Sequence, residues 1–160
     1  MQLRDPAHFV SPRAVAYWTV RAVPLWILVL AGQALWFWSA RDQSGLRVGA
    51  LALTAQFAAA HLSIMPRWRY RVHRWEVTHT AVYTRSGWLN QERRIAPLSR
   101  VQTVDTYRGP LVQLFGLANV AVTTASAAGP LSIQGLDLAT AEGLVAELTE
   151  VTSRSEGDAT

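Results

Sequence analysis

Two uncharged apolar stretches joined by a short polar loop constrain this chain more than any other feature of its 160 residues. The first stretch, residues 22–40, has nineteen residues, and the second, residues 48–65, has eighteen. At a rise of ~1.5 Å per helical residue, each approaches the ~30 Å thickness of the hydrocarbon core of a bilayer. Because only seven residues join them, two such helices are predicted to be antiparallel neighbours. The sequence therefore predicts a transmembrane helical hairpin over residues 22–66.

Two other interpretations of these stretches are disfavoured. A buried helical pair of a soluble protein is seldom free of charge over this length. A cleaved signal peptide has a shorter apolar core and small residues before its cleavage site, whereas Phe37 and Trp38 precede Ser39 and Ala40 here. A second apolar stretch also follows the first at once. We therefore expect the first stretch to remain as a membrane anchor.

Composition excludes several classes of function. The chain has no cysteine, so disulfides, thiolate metal sites and cysteine nucleophiles are absent. Its four histidines lack metal-ligand spacing with a carboxylate, and the sequence has neither a Gly-x-Ser-x-Gly elbow nor a phosphate-binding glycine loop. We expect no enzyme activity, no catalytic or metal-binding residues, no cofactor and no small-molecule substrate.

The basic residues are concentrated in the membrane part of the chain. The first seventy residues contain seven arginines and two aspartates, whereas residues 71–152 contain seven arginines and seven acids. A neutral second half argues against nucleic acid as a partner. Arginines flank the hairpin at both ends, and the loop between the helices has only Arg41 and Arg47. Because cytoplasmic flanks are enriched in basic residues, both termini are predicted to be cytoplasmic and the loop external.

Each apolar stretch contains one amide near its middle, Gln33 in the first and Gln56 in the second. An amide in hydrocarbon needs a hydrogen-bond partner, and such bonds contribute about 0.6–2 kcal/mol. We expect Gln33 and Gln56 to be intramembrane helix contacts that bond across the hairpin or across a dimer. A polar transport path through these amides and His61 is disfavoured, because neither stretch contains a carboxylate or an arginine. Close helix packing is favoured by small residues, which are Gly32, Gly49, Ala52, Ala55 and Ala59.

A basic and aromatic segment follows the second stretch. Its arginines are interleaved with Trp68 and Trp75, and each arginine near an anionic leaflet contributes roughly 1 kcal/mol of attraction. These side chains either select a lipid or only anchor the helix end by reaching to the interface, and both interpretations stay open. The candidate headgroup contacts are Arg67, Arg69, Arg71 and Arg74.

The pattern after residue 70 is that of short strands followed by one helix. β-Branched and aromatic residues predict strands over residues 71–77, 80–86, 88–95, 101–107, 120–124 and 131–133. Between the fourth and fifth strands a helical turn ends at Gly116, and Asp137 is predicted to cap a final amphipathic helix. The predicted core positions are Leu98, Val101, Leu114 and Phe115. This order of elements predicts a small α+β module, a barrel or bent sheet closed by a helix.

Three segments within this module resemble a known family. They are Gly-Trp-Leu at residues 87–89, Arg-Arg-Ile-Ala-Pro-Leu-Ser-Arg-Val-Gln-Thr-Val at residues 93–104, and Leu-Phe-Gly-Leu-Ala-Asn-Val-Ala-Val-Thr-Thr at residues 114–124. In this order they resemble the YdbS-like bacterial pleckstrin-homology (PH-like) domain membrane proteins. The resemblance covers about residues 71–151, and the preceding hairpin matches the usual layout of the family.

The resemblance implies a PH-like fold, in which seven strands form a bent sandwich closed by a C-terminal helix. It also implies no catalytic residue and no cofactor, and it points to a longer PH-like relative as a partner. Residues 78–80 form the first strand-to-strand turn and carry no arginine, so phosphoinositide binding is not expected. The expected organisation is a cytoplasmic flank (1–21), the hairpin (22–66), a cytoplasmic PH-like domain (67–152) and a disordered tail (153–160).

Three functions fit these features. The favoured one is a non-enzymatic scaffold in the cell membrane that recruits or assembles with a second membrane protein or with its own kind. The alternatives are an anionic-lipid sensor and an accessory subunit of a transport or envelope-stress complex. The candidate partner-binding face consists of Arg93, Arg94 and Arg100, although a solvated strand face is the favoured interpretation of these three residues.

Overall fold

The computed structural model describes residues 5–39, 44–125 and 129–157. Over these ranges it contains a pair of long helices, two antiparallel sheets and a C-terminal helix. The helices are α1 (Arg13–Ser39), α2 (Ser44–Val72), α3 (Pro110–Leu114) and α4 (Leu138–Gly157). The strands are β1 (His8–Phe9), β2 (Arg74–Val77), β3 (Ala81–Gly87), β4 (Gln91–Pro97), β5 (Val101–Tyr107), β6 (Leu117–Thr124) and β7 (Leu131–Asp137).

Helices α1 and α2 are long and apolar enough to cross a membrane. Only 17% and 6% of their most apolar windows are buried within the protein, whereas a helical pair in a soluble core would be mostly buried. The apolar side chains along both helices therefore face outward, as expected for contact with lipid. The predicted hairpin is confirmed in this respect, while residues 40–43, which include the first three residues of its loop, lie outside the described residues.

The second helix is longer than the sequence pattern predicts. It begins at Ser44, so Gly45 is helical rather than part of the predicted polar loop, and it continues through Pro66 to Val72. Proline in a helix interior removes one backbone hydrogen bond and its ring crowds the carbonyl four residues earlier, so Pro66 destabilises α2 locally without ending it. The strand predicted from residue 71 consequently starts at Arg74, and the predicted 88–95 strand lies at Gln91–Pro97.

The strands form two separate sheets that are not closed into a barrel. The first sheet has the order β1-β2-β3-β4 and the second the order β5-β6-β7. A short 3₁₀ turn, Leu98–Arg100, carries the chain from β4 to β5 and thus from the first sheet to the second. The apolar core lies between the sheets and under α4, and its most buried members include Val82, Leu117, Val120 and Leu148. The predicted α+β PH-like architecture is confirmed.

The N-terminal flank belongs to this core, which corrects the predicted boundary at residue 67. Val10, Ala14 and Trp18 are buried in the same cluster as the sheet residues, and β1 pairs with β2. The Ser11 N–H donates to the Gly135 carbonyl over 2.8 Å. The flank looks separate in the sequence because the two apolar helices stand between it and its strand partners.

Two further expectations are wrong in detail. Leu114 is 76% exposed, because the five-residue α3 places Val112 in the core instead. Leu98 is buried as predicted, and Val101 and Phe115 pack at the margin of the core. The disordered tail predicted from residue 153 is helical as far as Gly157, the end of α4, while residues 158–160 lie outside the described residues.

Candidate functional site

The two intramembrane amides have different environments. Gln33 on α1 donates from Nε2 to Thr54 Oγ1 over 2.5 Å and lies 3.5 Å from the Ala50 carbonyl oxygen. Gln56 is exposed, and the structure gives it no hydrogen-bond partner among the described residues. The predicted bond between the two amides across the hairpin is therefore wrong. Gln33 bonds to Thr54 on the second helix instead. Thr54 and Gln56 are two residues apart, about 200° around the helix, so only Thr54 can face α1.

Gln56 lies at the centre of a stripe of small residues on the exposed side of α2. Successive members of this stripe are four or three residues apart, so they share one face, which is opposite the face that Thr54 presents to α1. A Cβ atom added to either glycine of the stripe would meet nothing within 4 Å. We call this stripe the outward face, and its members are Gly45, Gly49, Ala52, Gln56, Ala59 and Ser63.

The four juxtamembrane arginines do not form one surface. Arg67 and Arg71 are exposed, one helical turn apart. Arg69 points into the module, where it donates to Gln134 Oε1 over 3.2 Å and lies 4.6 Å from the centroid of the Trp18 ring. Arg74 stacks over the Phe9 ring at 4.1 Å. Two of the four candidate headgroup contacts are thus engaged in packing the module.

The three arginines of the candidate partner face are also divided. Arg93 and Arg94 are adjacent on β4, so their side chains leave opposite faces of the sheet. Arg93 forms an ion pair with Asp5 at 3.0 Å, and Arg94 donates to the Pro130 carbonyl and pairs with Glu92 at 3.1 Å. Arg100 is exposed on the 3₁₀ turn. These positions do not bring the three arginines into one binding face, and partner binding by them stays a prediction.

The inner face of the first sheet becomes polar toward the β3–β4 turn. On β3, Val82 lies in the core, and the next two residues on the same face are Thr84 and Ser86. Their partners on β4 are Arg94 and Glu92. Inward positions of a sandwich are normally apolar, so this polar run leaves the end of the sandwich unfilled by core side chains.

These side chains line a cavity of about 310 Å³ that is partly open to solvent and is bordered by the end of α2 and by β7. We call it the polar cavity, and its principal polar groups are Arg69, His73, Thr84, Ser86, Arg94 and Gln134. The volume is about ten times that of a water molecule, so a small anionic group would fit. Sequence patterns alone do not identify this cavity. The alternating polar residues on β3 are the one sequence feature that could have indicated it.

His73 adds no charge to the polar cavity at neutral pH. Burial lowers the pKa of His73 to about 4, and the neighbouring Arg69 guanidinium contributes to the shift. The Nδ1 atom lies 3.0 Å from the Arg69 carbonyl oxygen, to which it can donate as a neutral ring. The positive charge of the polar cavity comes from Arg69 and Arg94, and Glu92 offsets part of it. Over the described residues, no group of three His, Asp or Glu side chains is placed to hold a metal ion.

The fold and the family comparison define the class of this protein. The model of the bacterial PH domain family matches residues 15–152, and the chain belongs to that family. It is a membrane protein of the PH-domain class with two transmembrane helices.

A particular relative confirms the predicted YdbS-like membership. The UPF0699 transmembrane protein YdbS of Bacillus subtilis (strain 168) is 30% identical over 157 residues, which cover 92% of this chain and 96% of that protein. Family and relative together suggest a non-enzymatic role. No solved structure gives a significant match to the chain.

Proposed function

We propose that this protein is a membrane-anchored, non-enzymatic scaffold that binds a transmembrane helix of a second membrane protein through the outward face of α2. Gln56 carries the proposal. Its amide lies near the middle of the span, and no described residue satisfies it. Because hydrocarbon offers no hydrogen bonds, a partner helix is the natural source of one. The small residues around Gln56 allow such a helix to approach closely.

The orientation of the module is part of the proposal. Both chain ends of the hairpin carry arginines close to the apolar spans, and these favour a cytoplasmic location of the termini and the PH-like module. A thiol reagent that cannot cross the membrane should then label Ser44→Cys in intact cells and leave Ser153→Cys unlabelled. The opposite labelling pattern would reverse the orientation without affecting the helix-binding proposal.

Photocrosslinking in native membranes tests the helix interaction. A photoreactive residue at Ala59, on the outward face, should capture a discrete membrane protein. The same residue at Leu53, which is exposed on the flank of α2, should capture mainly lipid. Capture from Ala59 should be lost in a Gln56→Leu background and in Ala52→Leu, because both changes alter the outward face. Ala55→Leu adds the same bulk about 60° away from Ala52 and 100° from Gln56, at the edge of the outward face, and should reduce capture much less than Ala52→Leu.

Three results would contradict the proposed interaction. One is equal capture from Ala59 and Leu53, and another is capture that survives Gln56→Leu and Ala52→Leu. The third is an adduct that contains two differently tagged copies of this chain and nothing else, because it would make the partner a second copy. A distinct membrane protein captured only through the unmodified outward face is the expected result.

A second candidate function, anionic-lipid binding, is favoured by one observation. Arg69 and Arg94 approach the polar cavity from α2 and from β4, beside the hydroxyl groups of Thr84 and Ser86. Two guanidinium groups with hydroxyl donors are suited to a phosphate group. Arg69 is four residues, or ~6 Å along the helix axis, beyond Met65, and this short distance supports lipid-headgroup binding by the polar cavity.

The lipid candidate is tested by thermal stability in nanodiscs with and without phosphatidylglycerol. A ligand that binds the folded state raises its midpoint of unfolding. The increment produced by the anionic lipid should be present in the native chain and in Arg71→Gln, whose arginine is exposed and outside the polar cavity. It should be lost in Arg69→Gln. An equal loss in both variants would indicate general surface attraction, which high salt should also abolish.

A further inference from the structure

The turn between β3 and β4 presents apolar side chains at its tip. Gly87 has a φ of 112°, and a Cβ atom there would clash with the Asn90 carbonyl oxygen, so the turn requires glycine at this position. Trp88 and Leu89 follow at the tip, where Leu89 is 77% exposed and Trp88 is 39% exposed. Turn residues are usually polar, because the turn faces water. The tip of the turn therefore presents apolar surface, mostly from Leu89, that the described residues leave uncovered.

The same turn is held against the second membrane helix. The indole Nε1 of Trp68 donates to the Trp88 carbonyl oxygen over 3.1 Å. The Trp88 ring lies 6.1 Å from the His61 ring in an edge-to-face arrangement. His61 in turn accepts a hydrogen bond from Trp26 Nε1 on the first helix, over 3.1 Å. A row of aromatic rings thus connects the turn to both helices of the hairpin.

The depth of His61 places the tip of the turn at the edge of the hydrocarbon. His61 lies four residues before Met65, the last residue of the second apolar stretch, or ~6 Å along the helix axis. His61 is therefore inside the hydrocarbon core, about one helical turn from its edge. Trp88 contacts His61, so Trp88 lies at the same level, and Leu89 adjoins it on the exposed side.

We propose that the β3–β4 turn inserts into the bilayer, with Leu89 in contact with lipid and Trp88 in the interfacial layer. Tryptophan prefers that layer because its ring is apolar and its N–H is polar. The occupant of this surface is the bilayer itself, since the turn is continuous with the membrane-spanning helices on the same side of the module. The inserted turn fixes the module against the membrane beside its own anchor. This inference is independent of the partner proposed for the outward face of α2.

Single-cysteine variants of the full-length chain test this placement, because the natural sequence has no cysteine. Leu89→Cys reports on the inserted turn. His79→Cys is the matched control, because His79 is an exposed turn residue at the other end of β3, ~20 Å or more away along the strand. Each variant is labelled with a polarity-sensitive fluorophore and reconstituted in phosphatidylcholine–phosphatidylglycerol liposomes. An unchanged thermal midpoint confirms that each labelled protein is folded.

The expected result is a contrast between the two positions. The probe at Leu89 should have blue-shifted emission, several-fold stronger quenching by nitroxide-labelled lipid, and several-fold weaker quenching by iodide added to both sides of the membrane. The probe at His79 should be quenched by iodide and not by nitroxide lipid. Equal iodide quenching at the two positions would overturn the proposal by placing Leu89 in water. Protection of Leu89 from both quenchers would overturn it by placing protein over the turn.

Discussion

Replacing Trp18 by alanine should lower the free energy of unfolding of the PH-like module, although Trp18 precedes the module in the sequence and is separated from it by the hairpin. Trp18 is only 1% exposed, and its ring lies 4.6 Å from the Arg69 guanidinium and 5.0 Å from the His73 ring. Truncation of a buried tryptophan costs about 3–5 kcal/mol. The Trp18 indole N–H has no hydrogen-bond partner among the described residues, so the loss should be near the lower end of that range. A loss of about 3 kcal/mol lowers the midpoint of a domain of this size by roughly 12 °C or more.

Thermal unfolding of the full-length protein in detergent, followed by the strand signal in circular dichroism, measures this loss. The matched control is Trp38→Ala, the same truncation on the same helix at a side chain that is 92% exposed. The control should leave the midpoint nearly unchanged in detergent. Equal midpoints for the two variants would refute the inclusion of the N-terminal flank in the core of the module.

Two other matched pairs test the packing and the electrostatics of the module. Gly135→Ala and Gly129→Ala both place a side chain at positive φ, which costs about 1–2 kcal/mol of stability. Gly135→Ala should cost more, because its Cβ would lie 2.9 Å from Ala14 Cβ. A Cβ at Gly129 would meet open space. Chemical denaturation of both variants checks the difference. As pH falls from 6.5 toward 4, the unfolded chain protonates His73 while the folded chain does not, because burial lowers the folded pKa to about 4. Stability should therefore decrease by up to about 3 kcal/mol over that window; His73→Gln should remove this loss and His79→Gln should retain it.

The membrane hairpin and most strands were predictable because each depends on a local pattern. Uncharged runs of eighteen or nineteen residues identify the spans, and alternation predicts β5 over Val101–Tyr107, where the structure places it. The role of the N-terminal flank depends on contacts across more than sixty residues, such as the pairing of His8 with Trp75. Local periodicity carries no information about such a contact, so the flank could be recognised only from the fold.

The candidate sites were also only partly predictable, because their residues are visible in the sequence but their arrangement depends on the fold. Gln33 and Gln56 are conspicuous in apolar runs, but their different roles follow from the rotation of each helix about its axis. The polar cavity depends on which face of β3 and β4 points inward and on how the two sheets meet. Arg94 lines this cavity while Arg93, its neighbour in sequence, binds Asp5 on the other side of the sheet. Charge clusters in a strand therefore divide between two faces, and adjacency in sequence is a poor guide to a common surface.

Among the described residues no linker separates the hairpin from the module, so the orientation of the module depends on that of the hairpin. Helix α1 starts inside the core, where Ala14 is fully buried, and α2 ends at the buried residue Val72, immediately before β2. Arg69 and Trp68 add contacts from α2 to β7 and to the β3–β4 turn. A rotation of the hairpin relative to the module would break these contacts together. A helix bound to the outward face of α2 would therefore set the angle of the module to the membrane, and the inserted turn would favour one such angle before any partner binds.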